Sequence, residues 1–266
     1  MRARIPRWQT LGAAALAMFV GGPVLAQGSA VDWKAQQAET LRHYRALVQI
    51  DTTAGKETAA ADYLKKVLEA EGIPVKTFAL QPARANLVAR LKGNGKKRPI
   101  LLMAHSDVVG VQREKWPVDP FGAVAKDGYV WGRGTADDKD KLAANLMTIL
   151  LAKRRGVPLD RDIIFFAESG EEADPDGVGI NFMVGRHFDE IDAEFALNEG
   201  AGGRLDENGK AVALNIEAGE KFPQDYRLEV TNPGGHSSRP TPDNAIYHLA
   251  ADRKSTRLNS SHVALS

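Results

Sequence analysis

Apolar and polar residues alternate along the chain in two periods, one helical and one extended. Apolar residues recur at helical spacing in VDWKAQQAETLRHYRALVQI (31–50), ETAAADYLKKVLEAEG (57–72) and KLAANLMTILLAKRRG (141–156). The last two segments end in glycine, which stops helices because it readily adopts a left-handed conformation. These patterns predict three long helices, and INFMVGRHF (180–188) predicts a fourth.

Short apolar runs between these helices predict β-strands. They are IPVKTFAL (73–80), NLVARL (86–91), PILLMAH (99–105), RDIIFFAE (161–168) and AEFALNEG (193–200). The Gly/Asn-containing segment KGNGKKR (92–98) predicts a hairpin between the second and third strands, and Lys126-Asp127-Gly128 predicts another within residues 121–134. Helices that alternate with apolar strands predict an α/β fold with a mixed, largely parallel sheet flanked by helices.

The character of the sequence changes at both ends. Residues 1–26 contain three arginines and then an apolar run that ends in small residues, which is typical of a secretory signal peptide; an uncleaved membrane anchor is the alternative. From about residue 215 an alternating strand pattern, a Gly/Pro loop and a helical pattern indicate a second module, 215–251. Residues 252–266 resemble a translated sequencing adapter, which predicts a non-native tail, with a genuine polar tail as the alternative.

Composition narrows the function classes. The chain has 266 residues, is 43% hydrophobic and 26% charged, and carries a net charge of +1, so it gives no indication of binding to nucleic acid or, after signal removal, to a membrane. It contains no cysteine, which excludes disulfides and thiolate metal sites. Any metal ion must therefore be held by His, Asp and Glu.

Four polar clusters lie just beyond the ends of apolar segments, where open α/β sheets bind ligands. They are His105-Ser106-Asp107, GRGTADDKDK (132–141), Glu168 to Glu172, and Asn198-Glu199-Gly200. Each cluster alone is weak evidence, because helix caps and solvated faces contain the same residue types. Together they offer one imidazole and several carboxylates, a set suited to divalent ions and above all to zinc. A pair of metals also needs a bridging carboxylate and a separate carboxylate that takes a proton.

The motifs HSDVV (105–109), WPVDPFGAVAKDGYVWGRGTADDK (116–139), GEE (170–172) and NEG (198–200) resemble, in this order and spacing, those of the M20 metallopeptidases. These are zinc exopeptidases and amidohydrolases that include glutamate carboxypeptidases, dipeptidases and aminoacylases. The resemblance extends over residues 35–251. It implies that residues 27–214 are the N-terminal part of a zinc-binding catalytic domain and that residues 215–251 begin an α+β lid or dimerisation domain.

The resemblance also implies a metal-binding set. His105 and Glu199 would bind one zinc ion, Asp137 would bridge two, and Glu172 would bind the other, giving two Zn2+ per complete subunit, with Co2+ or Mn2+ as alternatives. The peptide bond after Asp137 is expected to be cis.

Three further residues receive roles in the same way. Asp107 would orient the imidazole of His105, Glu171 would be the general base, and His236 in GGHSSRP would polarise the scissile carbonyl.

Other acidic and histidine residues receive structural interpretations. Asp138 is expected to contact Lys139 or backbone, Asp140 to be solvated, and Glu168 to be a supporting residue. The histidines on helical patterns are interpreted as structural: His43, His187 and His248.

These observations predict an exported zinc hydrolase, periplasmic or secreted, that cleaves an amide bond in short peptides as a carboxypeptidase or dipeptidase. An N-acyl amino acid amidohydrolase and a non-catalytic protein that kept the fold are the alternatives. A homodimer through the lid domain is expected from the resemblance.

No residue matches the family's last metal-binding histidine, since only His248 and His262 follow His236. We therefore expect that the natural sequence continues beyond Ala251, and that this chain lacks one ligand and is inactive or unstable.

Overall fold

A computed structural model describes residues 2–4, 31–53, 55–172, 176–200, 202–215, 227, 229–236, 238–239 and 242–251. Apart from the strand Arg2–Arg4, the predicted signal peptide lies outside the described residues, as do the predicted tail and most of the strand pattern at 220–230. The chain divides into two compact units, residues 1–200 and 201–266.

The first unit alternates helices and strands. Its elements are β1 (Arg2–Arg4), α1 (Trp33–Gln49), α2 (Thr58–Ala70), β2 (Val75–Ala79), β3 (Ala85–Leu91), β4 (Ile100–His105), β5 (Val124–Lys126), β6 (Tyr129–Trp131), α3 (Lys139–Arg154), β7 (Ile163–Glu168), α4 (Ile180–Arg186), α5 (Phe188–Ile191) and β8 (Phe195–Leu197). Every helix and strand predicted between residues 31 and 200 is present.

Local sequence explains where the helices begin and end. Asp32 caps α1, since its Oδ1 accepts hydrogen bonds from the backbone N–H groups of Lys34 and Ala35. After α2, Gly72 has a φ of +67°, and its N–H donates to the carbonyl of Glu69. This is the left-handed glycine stop that the sequence predicts, and Gly156 ends α3 in the same way.

The central sheet has the strand order β2-β3-β7-β4-β8. The strands β7, β4 and β8 are parallel, whereas β3 is antiparallel to both β2 and β7. Four of the five strands therefore point the same way, which confirms the mixed, largely parallel sheet. In the part of the chain that the structure describes, no helix is both long and apolar enough to span a membrane.

The predicted hairpin between β3 and β4 is wrong, because β7 lies between these strands. The segment 92–98 runs along the loop that precedes β7, where Asn94 N–H donates to the carbonyl of Leu159 and Lys97 N–H donates to that of Asp160. The apolar strand IIFFA of β7 is buried almost throughout, which suits a central position between two neighbours.

The second predicted hairpin is confirmed. The strands β5 and β6 pair antiparallel, and they also form a small sheet with β1. Asp127 and Gly128 at the turn have φ values of +55° and +78°, as a two-residue turn of the mirror-image type requires.

Two hydrophobic cores cover the two faces of the central sheet. One contains α1, α2 and α3, with Leu47, Leu64 and Leu146 fully buried against strand residues such as Phe165. The other contains α4 and α5 and includes Phe166 and Met183. Helices on both faces leave the ends of the strands as the place where polar side chains can meet.

The second unit contains an antiparallel pair, β9 (Gly202–Leu205) and β10 (Ala211–Asn215), and a helix at residues 245–251. It begins after Gly200, whereas the change in sequence character was placed near residue 215. Its assignment as a lid or dimerisation domain stays a prediction.

Candidate metal centre

The carboxyl ends of β4, β7 and β8 lie at one edge of the sheet because these strands are parallel. His105 is the last residue of β4, Glu199 follows β8, and Asp137 precedes α3. One donor atom from each of these three side chains lies within 4.8 Å of the others. The fold therefore joins three of the four predicted metal ligands.

His105 is at the middle of this group. Its ring is 1% exposed, and its Nε2 lies 2.9 Å from Asp137 Oδ1 and 3.6 Å from Glu199 Oε1. Its Nδ1 lies 3.1 Å from the backbone carbonyl oxygen of Asp107, to which an Nδ1–H would donate. That hydrogen bond leaves the Nε2 lone pair facing two carboxylates, an arrangement that binds a cation.

The local charge is strongly negative. Burial lowers the pKa of His105, but hydrogen bonds from the ring to Asp107 and Asp137 outweigh burial and raise the pKa to about 10. Burial also raises the pKa of Glu199 and Glu172, and nearby carboxylates such as Asp137 add to the shift. Positive charge stabilises these carboxylates, and either a protonated imidazole or a bound divalent cation supplies it.

The carboxylate of Asp107 lies between the ring of His105 and the loop after β7. Its Oδ1 is 3.5 Å from His105 Nδ1, so the ring's shorter contact is with the Asp107 backbone. The carboxylate instead accepts three backbone hydrogen bonds of 3.0 Å from Gly170, Glu171 and Glu172. Burial raises the pKa of Asp107, but contacts with His105 and these backbone donors outweigh it, so the pKa is lowered. Asp107 thus ties the strand end of His105 to the two glutamates.

Glu171 and Glu172 stand on the loop after β7. Glu172 is half-buried and Glu171 is exposed, and both backbone N–H groups are fixed by Asp107. Glu172 lies outside the group of three donors formed by His105, Asp137 and Glu199. The loop brings Glu172 close enough to the group for the charges of Asp137 and His105 to affect its pKa. The roles of Glu172 as a ligand and of Glu171 as a base stay predictions.

The three aspartates near the start of α3 differ in their exposure to solvent. Asp137 is half-exposed at the centre, Asp138 is fully buried, and Asp140 is exposed, as expected for a solvated residue. The peptide bond between Asp137 and Asp138 is cis, as the resemblance implied. The expected partner of Asp138 is corrected: its Oδ1 lies 2.9 Å from Lys141 Nζ.

The side chain of Lys139 turns inward and is fully buried, with its Nζ donating to the carbonyl of Ile50 at 2.7 Å. Burial lowers the pKa of Lys139 to about 7. This inward turn takes it away from Asp138 and ties the start of α3 to the end of α1.

One supporting residue predicted from the sequence, Glu168, is confirmed, and another, Asn86, was missed. Glu168 ends β7 and accepts a 2.7 Å hydrogen bond from the N–H of Ile180, so it caps α4. Burial raises its pKa to about 7. Asn86, on β3, is fully buried and hydrogen-bonds to Ser169 and Val178. The signal that could have found it is one uncharged polar residue within ANLVA, the otherwise apolar and buried first five residues of β3.

The second unit contains His236. It is exposed, and its Nδ1 accepts a hydrogen bond from the N–H of Ser238 and lies 2.7 Å from Ser238 Oγ. These contacts fix the loop, and the role of His236 towards a substrate stays a prediction.

The other three histidines that the structure describes have structural surroundings. His43 is buried with its Nδ1 2.7 Å from the hydroxyl of Tyr63, His187 packs against Phe78, and His248 pairs with Asp243.

Residues 101–261 match the family model described as Peptidase family M20/M25/M40. Over 161 residues the chain is 35% identical to the human N-fatty-acyl-amino acid synthase/hydrolase PM20D1, a match that covers 58% of this chain and 31% of that protein. Over 176 residues it is 35% identical to "Probable carboxypeptidase S-like 2" of Dictyostelium discoideum, covering 63% of this chain and 34% of that protein. The matches thus span about a third of the length of these relatives.

Solved structures share the fold. The M20 family metallo-carboxypeptidase of Sulfolobus solfataricus superposes with a TM-score of 0.54 at 22% identity, over 64% of this chain and 39% of that one. A tripeptidase of Staphylococcus aureus gives a TM-score of 0.50 at 28% identity, over 64% of this chain and 44% of that one.

Proposed function

Because the chain belongs to the peptidase family M20/M25/M40, we propose that it is part of an exported, zinc-dependent hydrolase that cleaves an amide bond. The observation that carries the proposal is the meeting of His105, Asp137 and Glu199 beside the loop that presents Glu171 and Glu172. A set of one imidazole and several carboxylates suits zinc, with cobalt or manganese as alternatives.

Each side chain has a distinct part in this proposal. His105, through Nε2, and Glu199 would hold one ion, Glu172 would hold a second, and Asp137 would be a ligand common to both. The chemistry supplied by such a centre, when loaded, is the acidification of a water molecule and the polarisation of a carbonyl. The carboxylate of Glu171 accepts the proton of the attacking water. The imidazole of His236 donates a hydrogen bond to the carbonyl oxygen as negative charge develops there.

Two substrate classes fit this chemistry. Short peptides are the first candidate, because a solved relative at 28% identity is named a tripeptidase. N-acyl amino acids are the second, because the human relative at 35% identity is named an N-fatty-acyl-amino acid synthase/hydrolase. Both substrates carry an amide next to a carboxylate, so the same centre serves either. A homodimer through the second unit and a periplasmic or secreted location complete the proposal.

Metal content tests the centre directly. We expect the purified 266-residue chain to bind zinc, measured by isothermal titration and elemental analysis, and Asp137→Asn to lose that binding. The matched control is Asp140→Asn, which removes an exposed carboxylate three residues further along and should leave the zinc affinity unchanged. Equal zinc binding by wild type and Asp137→Asn would contradict the proposed centre.

Hydrolysis tests the reaction. Dipeptides and N-acetyl amino acids would be assayed in parallel on the zinc-loaded chain and on a version extended beyond Ala251 to the length of the matched relatives. We expect turnover only in the longer protein, and its loss in Glu171→Ala without loss of zinc. Two zinc ions and turnover in the 266-residue chain would show that no ligand is missing from it.

A further inference from the structure

The loop that carries the two glutamates, residues 169–179, is here called the glutamate loop. Its described residues are 169–172 and 176–179. It connects the end of β7 to the start of α4. Its two ends lie side by side, since Gly179 is packed against the carbonyl of Ser169. The contacts that close it determine where Glu171 and Glu172 stand.

One buried amide contacts both ends of the glutamate loop. Asn86 Oδ1 accepts a 3.0 Å hydrogen bond from the N–H of Ser169, and its Nδ2 donates to the carbonyl of Val178 at 2.7 Å. Nδ2 also lies 3.3 Å from the carbonyl of Phe78, the cross-strand partner of Asn86 on β2. The amide thus uses its acceptor and both donors.

The chemistry of these contacts requires asparagine. Asn86, Ser169 and Val178 are all fully buried. If the amide were removed, the N–H of Ser169 and the carbonyl of Val178 would lose their hydrogen bonds with no water to replace them. A leucine of similar size would lose all three hydrogen bonds, and an aspartate would lose the donors. Burying a polar side chain in an apolar strand is costly unless its partners are present, and here they are.

Two neighbouring contacts close the glutamate loop further. Glu168 Oε1 accepts the N–H of Ile180 at 2.7 Å. Gly179 lies so close to the carbonyl of Ser169 that a Cβ would collide with it. At the other side of the loop, Asp107 holds the N–H groups of residues 170–172. Asn86 therefore fixes the base of the loop and Asp107 fixes the part next to His105.

We propose that Asn86 is a positioning residue for the metal centre, whose amide closes the glutamate loop and so sets the positions of Glu171 and Glu172. This inference rests on the proposed function, because it is the proposed base and ligand that are positioned. Asn86 itself touches neither substrate nor metal and acts through the backbone of the loop. When a residue that positions metal ligands in this way is replaced, the metal affinity typically falls roughly 10- to 100-fold.

The test compares Asn86→Leu with a matched control, Asn145→Leu, in the 266-residue chain. Asn145 also donates an amide hydrogen bond to a buried strand, at 3.1 Å to the carbonyl of Met103, and it has no hydrogen bond to the described residues of the glutamate loop. Hydrogen exchange of the metal-free chain would follow the amides of residues 169–172 and 176–179 against core amides of β7. Isothermal titration would give the zinc affinity.

We expect Asn86→Leu to exchange its loop amides about tenfold faster, relative to the β7 amides, and to bind zinc about tenfold more weakly. Asn145→Leu should change neither quantity. Loop exchange and zinc affinity equal to those of the control would overturn the proposal. If Asn86→Leu does not fold, Asn86→Ala, which leaves room for a water molecule, should give the same loop-specific pattern, and its absence would equally overturn the proposal.

The two proposals can fail separately. Faster loop exchange in a chain whose wild type binds no zinc would support the loop closure by Asn86 and contradict the proposed function. Normal zinc binding together with unchanged loop exchange in Asn86→Leu would support the proposed metal centre and contradict the positioning role of Asn86.

Discussion

Glu168 shows what burial does to a carboxyl group at the edge of the centre. Burial is the main cause that raises its pKa from 4.5 to about 7, and repulsion from Asp107 adds to it, while the hydrogen bond from Ile180 N–H opposes it. The folded chain therefore holds a proton that the unfolded chain releases between these two pH values. Stability contributed by this group is present below about pH 4.5 and is lost as the pH rises to about 7.

Glu168→Gln should remove that pH dependence. The amide oxygen can still accept the Ile180 N–H, but the side chain no longer ionises. In metal-free chain with a chelator, we expect the variant to gain stability over wild type as the pH rises, by about 3 kcal/mol at most at pH 8, and to match it near pH 4. Urea unfolding at both pH values measures this, with the exposed Glu114→Gln as control. Parallel pH profiles for wild type and Glu168→Gln would contradict the assignment.

At the residue scale, strand ends were the informative signal. The positions of His105 and Glu199 directly after apolar strands predicted that they meet, and they do. The partner of Asp138 could not be predicted, because the choice between Lys139 and Lys141 depends on which lysine turns inward. Asn86 was missed because its partners, Ser169 and Val178, are distant in sequence.

At the element scale, the candidate centre connects β4, the start of α3 and the end of β8 through His105, Asp137 and Glu199. A ligand that binds only the folded state stabilises it, by about 2.7 kcal/mol when its concentration is a hundred times its dissociation constant. Zinc bound across three elements should therefore raise the thermal midpoint.

Calorimetric scans with zinc and with a chelator test this coupling. We expect wild type to unfold several degrees higher with zinc, by roughly 2–4 °C per kcal/mol for a chain of this size. The Asp137→Asn variant should show no zinc-dependent shift, whereas Asp140→Asn should behave as wild type. A shift of equal size in Asp137→Asn would place the stabilising zinc elsewhere.

Elements were predicted well where the signal is local. The hairpin at Lys126-Asp127-Gly128 depends on its own turn residues and is confirmed. The segment 92–98 has similar turn residues but forms no hairpin, because its backbone bonds to residues 159 and 160 instead. Strand order depends on which strand is buried on both faces, and turn chemistry does not encode that.

At the scale of the whole molecule, the two hydrophobic cores described for the central sheet consist of residues numbered below 200. The first unit therefore contains its own folding core. The sequence predicted its α/β class from alternating helices and strands, but placed the change to the second module near 215, while the chain divides after Gly200. The pattern of a surface hairpin such as β9–β10 does not reveal the unit to which it belongs.

A fragment of residues 27–200 should fold by itself. We expect cooperative thermal unfolding, followed by far-UV circular dichroism, with a midpoint within about 5 °C of the whole chain. The fragment should also keep the metal group of His105, Asp137 and Glu199, so it should bind zinc. A non-cooperative transition would mean that the first unit depends on residues outside 27–200, either β1 or the residues after Gly200.

The central place of β7 has a consequence for how the chain reaches this fold. Its neighbours β3 and β4 are made first along the chain and cannot complete the sheet until β7, much later in sequence, enters between them. Such long-range pairing has a high entropic cost of loop closure and slows folding. Until β7 arrives, β3 and β4 expose unpaired edges that invite association with other chains, so aggregation during refolding should depend steeply on protein concentration.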